Sequence, residues 1–402
     1  MSSQLDSGSD RRPTAAPSAA RPKVCLVGGP DVDARQPLML RFDRDFDVCA
    51  IGTEPSLATS FETQGLRYRT YAMTRGVSPL RDLCSLWQLV RIFRSERPRV
   101  VHTFDSKPAI WGRLAAKFAR VPVVIGTLPG LGSLYSAPSW KGRIVRLMYQ
   151  PLQTLACRWA DLTIFQNHDD AREFTRRRVV PADRSLVIPG SGIPTDVFAP
   201  ADEETSRARR AELGLDGSVV AVMISRVVRT KGVLDFAAAA RTVRVANSDV
   251  RFVLVGPEDR SSLDALTPAE LAELHGSLSW LGPRDDIRGV LSAADIFVFP
   301  SFYREGVPRV LLEAAAMGLP IVAADVPGSR DVVEDGVNGF LVAPRDPDAI
   351  TEAVLRLAGA PELRRRFGQS SRHRAVSRFD LSEIAQRTES VYWDLLAAKQ
   401  VS

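Results

Sequence analysis

Cysteine is scarce in this chain of 402 residues. There are four, at positions 25, 49, 84 and 157, scattered with no spacing that would hold a metal. Cys25 sits in an apolar strand pattern and Cys84 in an amphipathic helix pattern, so the cysteines read as reduced, buried thiols of a cytosolic protein. Long apolar runs are missing too. None approaches the roughly 18–20 residues of a membrane span. The stretch from Met1 to Arg21 is rich in Ser, Ala, Pro and Asp without an apolar core, so it reads as a disordered tail and not a secretory signal. No G-x-G-x-x-G fingerprint follows the first strand pattern, which disfavours a dinucleotide cofactor. Helix-turn-helix, RNP-type and zinc motifs are also absent. Nucleic-acid binding is therefore not expected, despite an isoelectric point of about 9.3.

What is present is ordinary globular composition, 45% apolar and 25% charged, in a chain long enough for two domains. The net charge of +6 is unevenly placed. Residues 21–195 hold 26 Lys and Arg against 15 Asp and Glu, whereas residues 196–402 hold 25 against 30. The first half is thus a basic body, suited to anionic lipid, a phosphorylated substrate or nucleic acid.

Apolar strand patterns alternate with helical ones along the chain, which means βαβ units and parallel sheets. Strands are expected at Lys23–Val27, 47–51, 100–101, 121–125, 162–165 and 185–188 in the first half. In the second half they are expected at 219–224, 252–255, 278–281, 296–299, 321–324 and 341–342. Residues 22–195 form one doubly wound domain and 219–380 the other, with a polar linker at 196–218 and a helix at 381–402 that could pack back on the first domain. The helix pattern from Leu80 to Arg97 puts Leu83, Leu86, Trp87, Val90 and Phe93 on one face. The stretch Trp140–Trp159 mixes bulky apolar residues with Lys141, Arg143, Arg146 and Arg158. It is either a core helix or a helix lying on an anionic membrane surface, and Pro151 is expected to kink or divide it.

The most informative stretch is Phe299-Pro300-Ser301-Phe302-Tyr303-Arg304-Glu305-Gly306-Val307-Pro308-Arg309, running on to Ala314. A buried strand ends, a glycine turn follows, and Pro308 sits in the first turn of a helix. The helix N–H groups then point at the strand's carboxyl end, where open α/β sheets bind ligands and an anion is welcome. Glu305 in the turn and Glu313, about two turns into the helix, flank that anion site. Arg226 and Lys231, just past the strand 219–224, are spaced to converge on one diphosphate.

Glu305, seven residues and Glu313, set within Pro-Ser-x-x-Arg-Glu-Gly-x-Pro, resemble the signature of retaining family-4 glycosyltransferases of the GT-B fold. The likeness spans about residues 23–380. It implies two Rossmann-like domains facing across a cleft, with the donor bound by the second. It further implies that Arg226 and Lys231 bind the donor diphosphate and neutralise the leaving group, that Glu305 contacts the donor sugar, and that Glu313 holds the ribose hydroxyls. Gly306 and Val307 would offer backbone N–H groups to the phosphates, and Arg284 and Ile287 lie where the family places the base. No nucleophile is implied, because the acceptor attacks from the leaving-group face.

In the first half, His102-Thr103-Phe104-x-x-Lys107-Pro108, Gly126-Thr127-x-x-Gly130-x-Gly132 and Phe165-Gln166-Asn167-x-Asp169-Asp170 resemble a bacterial subgroup. Its members extend polyprenyl-diphosphate-linked saccharides for capsule, exopolysaccharide or glycan assembly. The resemblance makes His102, Lys107, Gly130 and Gly132 acceptor-side candidates, with Lys107 on the acceptor diphosphate. Many family members have a second histidine where Phe104 stands, so His102 reads either as an acceptor contact or as a strand-end structural residue. The DxD-like pairs (Asp31/Asp33, Asp43/Asp45, Asp346/Asp348) do not end an apolar strand beside the site, so no metal or other cofactor is expected. The implied activity is hexosyl transfer from a UDP-sugar at the inner face of the plasma membrane. A soluble acceptor, a GT-B-shaped epimerase and a catalytically silent scaffold are the alternatives.

Overall fold

A computed structural model describes residues 21–74, 78–128, 130 and 140–401. It contains two wholly parallel sheets. The first has seven strands in the order β3-β2-β1-β4-β5-β6-β7: β1 Lys23–Val27, β2 Asp47–Gly52, β3 Arg67–Thr70, β4 Val100–Phe104, β5 Val123–Leu128, β6 Leu162–Phe165 and β7 Ser185–Val187. The second has six in the order β10-β9-β8-β11-β12-β13: β8 Val219–Ile224, β9 Val250–Val255, β10 Ser279–Trp280, β11 Ile296–Phe299, β12 Ile321–Ala324 and β13 Gly339–Val342. Both are doubly wound. Strand order reverses between β1 and β4 in one sheet and between β8 and β11 in the other, so each has a crevice at the carboxyl ends of its central pair.

The central strands are apolar on both faces, as a sheet covered by helices on both sides requires. Buried residues of β1, β2, β4 and β5 divide between two clusters, one on each face of the first sheet. The C-terminal helix Leu381–Val401 returns to the first sheet, where Tyr392 and Leu396 pack with Phe42 and Phe46. The Tyr392 ring meets those of Phe42 and Phe46 edge-on, at 5.4 and 5.5 Å.

Several expectations are corrected. β3 was not anticipated: it is a four-residue edge strand, Arg-Tyr-Arg-Thr, in which only Tyr68 is buried, so it carries almost no apolar signal. The 196–218 stretch contains a helix, Glu203–Leu213, capped by the Asp202 carboxylate on the Thr205 N–H and ended by left-handed Gly214. Pro308 is the N-cap of the helix Arg309–Ala316, so Glu313 lies little more than one turn in. The helix Trp140–Trp159 runs through Pro151 without a break. Cys84 is exposed, unlike the other three cysteines, and Leu83 and Trp87 also face outward.

Candidate active site

The crevice of the second sheet is where Lys231 and Glu305 meet. β8 leads into a loop carrying Arg226 and then a short 3-10 turn, Arg229–Lys231, closed by left-handed Gly232. β11 leads into the 300–306 turn. The two turns are bonded together: Phe302 and Tyr303 donate their backbone N–H groups to the Thr230 carbonyl at 3.1 and 3.2 Å. Thr230 is itself held by the Asp264 carboxylate. Gly232 packs against the Pro300 carbonyl, where a side chain would not fit. Lys231 therefore forms an ion pair with Glu305, and Ser301 donates to the same carboxylate at 3.3 Å. Lys231 is 13% exposed, and its ammonium lies 5.7 Å from the Phe299 ring centre.

Arg226 stands further out, 58% exposed and paired with Asp259 at 2.7 Å. Glu313 is nearly buried. Burial pushes its carboxyl pKa up, while Arg309, bonded to it at 2.9 Å, works the other way. Glu313 and Ile287 line one cavity of about 650 Å³ together with Asp286 and the 196–202 stretch, a size within the range of ligand sites. Arg284 forms a two-pronged pair with Asp286 at 2.8 and 3.0 Å. Val307 is buried against the sheet.

The first sheet presents its own carboxyl edge to this turn. Gly130 lies so close that an added Cβ would stand 2.6 Å from the Gly306 nitrogen and 3.0 Å from the Glu305 carbonyl carbon. Left-handed Gly328 backs the same turn from the other side, against the Gly306 carbonyl. Buried Asp170 receives Arg304 at 3.3 Å, Asp169 pairs with Arg330 at 3.6 Å, and the Ala34 carbonyl receives Arg309 at 2.9 Å. Beside these contacts, a groove of about 520 Å³ opens between Arg172 and Arg176 on one wall and Phe302, Arg304 and Arg330 on the other. The Gly130→Ala variant is expected to lose about tenfold or more of turnover with little change in melting temperature, because a misplaced anion turn is punished steeply. Parallel rate and thermal-melt measurements check this.

Two acceptor-side candidates have structural partners. Lys107 forms an ion pair at 2.6 Å with Asp82, whose side chain is fully buried, and donates to the Thr74 carbonyl at 2.7 Å. His102 is 1% exposed. One ring nitrogen lies 2.6 Å from the Tyr392 hydroxyl and the other 2.8 Å from the Thr127 hydroxyl, and the ring stacks on Phe104. Burial, then the nearby charges of Arg113 and Arg35, drive its pKa down to about 3. A neutral buried histidine contributes stability that is complete above its unfolded pKa of about 6.5 and is lost as pH falls toward 3. Acidification through that window is expected to lower stability by about 1.4 kcal/mol per pH unit, and His102→Asn to flatten the slope, as read by denaturation at several pH values. Gly132 lies outside the described residues.

The sequence also concealed Asp105. It directly follows β4 with φ at 66°, a conformation few non-glycine residues adopt, and pairs with Arg35 at 2.9 Å in the first sheet's crevice. Its position, directly after a strand pattern, was the available signal.

Comparison with known proteins agrees with this layout. Residues 38–191 match the family described as Glycosyl transferase 4-like domain, and residues 218–359 match Glycosyl transferases group 1. The UDP-Gal:alpha-D-GlcNAc-diphosphoundecaprenol alpha-1,3-galactosyltransferase of Escherichia coli is 29% identical over 378 residues, 93% of this chain and 96% of that one. The N,N'-diacetylbacillosaminyl-diphospho-undecaprenol alpha-1,3-N-acetylgalactosaminyltransferase of Campylobacter jejuni is 28% identical, covering 87% and 92%. The alpha-maltose-1-phosphate synthase of Mycobacterium tuberculosis is 33% identical over 312 residues, 73% of this chain and 78% of that one. Among solved structures, Anabaena Alr3699/HepE in complex with UDP superposes with a TM-score of 0.77 at 20% identity, covering 92% of this chain and all of that one.

Proposed function

The chain belongs to the group 1 glycosyl transferases and has the GT-B fold, and on that premise we propose that it moves a hexose or N-acetylhexosamine from a UDP-sugar to a polyprenyl-diphosphate-linked saccharide, with retention of configuration and without a metal. The observation that carries this reading is the Lys231–Glu305 pair at the switch point of the second sheet. Cleaving a nucleotide sugar leaves negative charge on a diphosphate and positive charge on an oxocarbenium-like sugar. Lys231, with Arg226 swinging in from the rim, meets the first, and Glu305 faces the second. The backbone N–H groups of Gly306 and Val307 turn toward the phosphates. Glu313 takes the ribose hydroxyls from the cavity wall, with the base toward Arg284 and Ile287. A diphosphate is a good leaving group, so no general acid is assigned.

Retention follows if the acceptor attacks from the face the diphosphate leaves. The names of both undecaprenol-linked relatives specify α-linked products, and an α-linked product from an α-configured nucleotide sugar is net retention. A lipid-linked acceptor is favoured over a soluble one because the two relatives whose names specify undecaprenol-linked acceptors cover 93% and 87% of this chain, against 73% for the alpha-maltose-1-phosphate synthase. Among the described residues, no helix is long and apolar enough to cross a membrane. The enzyme would work peripherally, at the inner face of the plasma membrane.

The test is UDP release from a panel of UDP-, GDP- and ADP-sugars, with and without polyprenyl-diphosphate-GlcNAc-type acceptors, for wild type and Glu305→Ala. Release that requires both a UDP-sugar and the lipid-linked acceptor, and is lost in Glu305→Ala, is the expected result. Release indifferent to the lipid would overturn the acceptor assignment, and full activity in Glu305→Ala the site assignment.

A further inference from the structure

On the outer side of the first domain, three helices carry apolar side chains that stand exposed among the described residues. The helices are Pro79–Glu96, Ser106–Phe118 and Trp140–Trp159. Six of the thirteen large apolar side chains that stand exposed among the described residues lie on them: Leu80, Leu83, Trp87, Phe118, Leu147 and Leu155. Leu80 is 84% exposed, Leu147 78% and Trp87 53%. Surfaces of this kind mark interaction sites.

The residues form one patch. The outer two helices close over the middle one, because Tyr149 of Trp140–Trp159 donates its hydroxyl to Asp82 of Pro79–Glu96. The middle helix is buried from Ala109 to Ala116, and only its last two residues, Lys117 and Phe118, are exposed there. Phe118 bridges its neighbours there, with its ring 6.5 Å from Trp87 and 6.1 Å from Trp159. Leu80, Leu83 and Trp87 recur at helical spacing, as do Leu147, Leu155 and Trp159.

Charge decides what covers the patch. The three helices contain only two acids, Asp82 and Glu96, and both are buried. Asp82 is taken by Lys107 and Tyr149, and Glu96 by Lys23, Arg67 and Arg69. The exposed charges described on the three helices are cations only, among them Arg81, Arg91, Arg94 and Lys117. An apolar stripe edged by cations and free of surface acid is complementary to a bilayer with anionic headgroups: the apolar groups enter the acyl boundary while the cations stay among the phosphates. Arg and Lys stems also lie comfortably at that depth.

We propose that this three-helix face docks the enzyme on anionic lipid bilayers. The inference deepens the reading of a lipid-linked acceptor and rests on it. The topology suits it, because in a βαβ unit each helix starts at the carboxyl edge of the preceding strand. Leu80 therefore stands at the cleft end of the stripe. The acceptor's polyprenyl chain stays in the bilayer while its diphosphate rises into the cleft.

The test uses the full chain and two activities measured separately. Flotation compares vesicles of phosphatidylcholine alone with vesicles that also contain phosphatidylglycerol. Transfer is followed with a detergent-dispersed polyprenyl-diphosphate acceptor. Wild type is expected to float with the anionic vesicles only. Leu83→Ser with Trp87→Ser, both solvent-facing, is expected to weaken flotation by about tenfold or more while leaving detergent-phase transfer unchanged. Arg91→Glu with Arg94→Glu is expected to weaken binding at least as much. Wild type failing to float, or the apolar variant floating like wild type, would overturn the proposal. So would a dimeric wild type converted to monomer by the apolar variant, since the face would then join two copies. If vesicle binding behaves as expected but no acceptor supports transfer, the docking surface stands and the reading of the acceptor fails.

Discussion

Lys231→Ala is expected to lower turnover by a factor of about 10² to 10³, equivalent to about 2.7–4 kcal/mol of lost transition-state stabilisation. The geometry around Lys231 explains why the effect should fall on the rate. Lys231 is already shielded from water, pinned against the Phe299 ring and held by the Glu305 carboxylate. Its ammonium is thus preorganised where a diphosphate would arrive, and the charge it meets grows as the glycosidic bond breaks. Donor affinity should fall less than turnover, because the ground-state diphosphate has other contacts at the Gly306 turn. Lys231→Arg should recover little, since a planar guanidinium does not fit a slot built for a compact ammonium. Arg226→Ala should be milder, as Arg226 is mostly solvated and already paired with Asp259. The checks are single-turnover rates and UDP affinity for each variant, with thermal melts as a control. If Lys231→Ala keeps more than about a tenth of the wild-type rate, Lys231 is not the cation that meets the leaving group.

Glu305→Gln separates the two halves of the pair. It keeps the size of the side chain and removes the counter-ion, so Lys231 should bind free UDP at least as well as in wild type. Transfer should still fall, because the carboxylate that faces the developing positive sugar is gone.

The layout of the candidate donor site was legible in the sequence because all its parts are local. One strand, one turn and one helix carry Glu305, Gly306 and Glu313, and a second strand end carries Arg226 and Lys231. Strand order then brings β8 beside β11, so a reading that recognises a doubly wound sheet already places the two ends together. The first half was less legible because its contacts are remote. Nothing around Gly130 announces that it will touch a turn 176 positions away, and nothing around His102 announces Tyr392. The Pro79–Glu96 helix misled for a different reason. Helical periodicity shows that a stripe of apolar residues exists, not which surface it meets. Leu86, Val90 and Phe93 turn inward to the sheet, while Leu83 and Trp87, assigned to the same face by spacing, turn outward.

The same remoteness hid the partner of Lys107, and from it follows the largest stability effect. Asp82→Ala is expected to destabilise the protein by about 3–5 kcal/mol, the usual consequence of leaving a buried ion without its partner. For a domain of this size that is a fall in melting temperature of roughly 6–20 °C. Asp82 is fully buried and gathers Lys107 and Tyr149, so three helices lose a common anchor at once. Lys107→Ala should destabilise to a similar degree, which means that reduced activity in that variant alone would say nothing about the acceptor. The double variant Asp82→Leu/Lys107→Met resolves this, because replacing both charges with apolar groups of similar size removes the buried, unpaired ion. Its stability should return most of the way to wild type. With folding restored, a KM for the lipid-linked acceptor that remains raised would make Lys107 an acceptor ligand as well as a structural one. A KM that returns to the wild-type value would confine it to the helix anchor. If Asp82→Ala melts within about 2 °C of wild type, less than 1 kcal/mol for a domain of this size, the pair is not an anchor, and the geometry that holds the three helices together must be sought elsewhere.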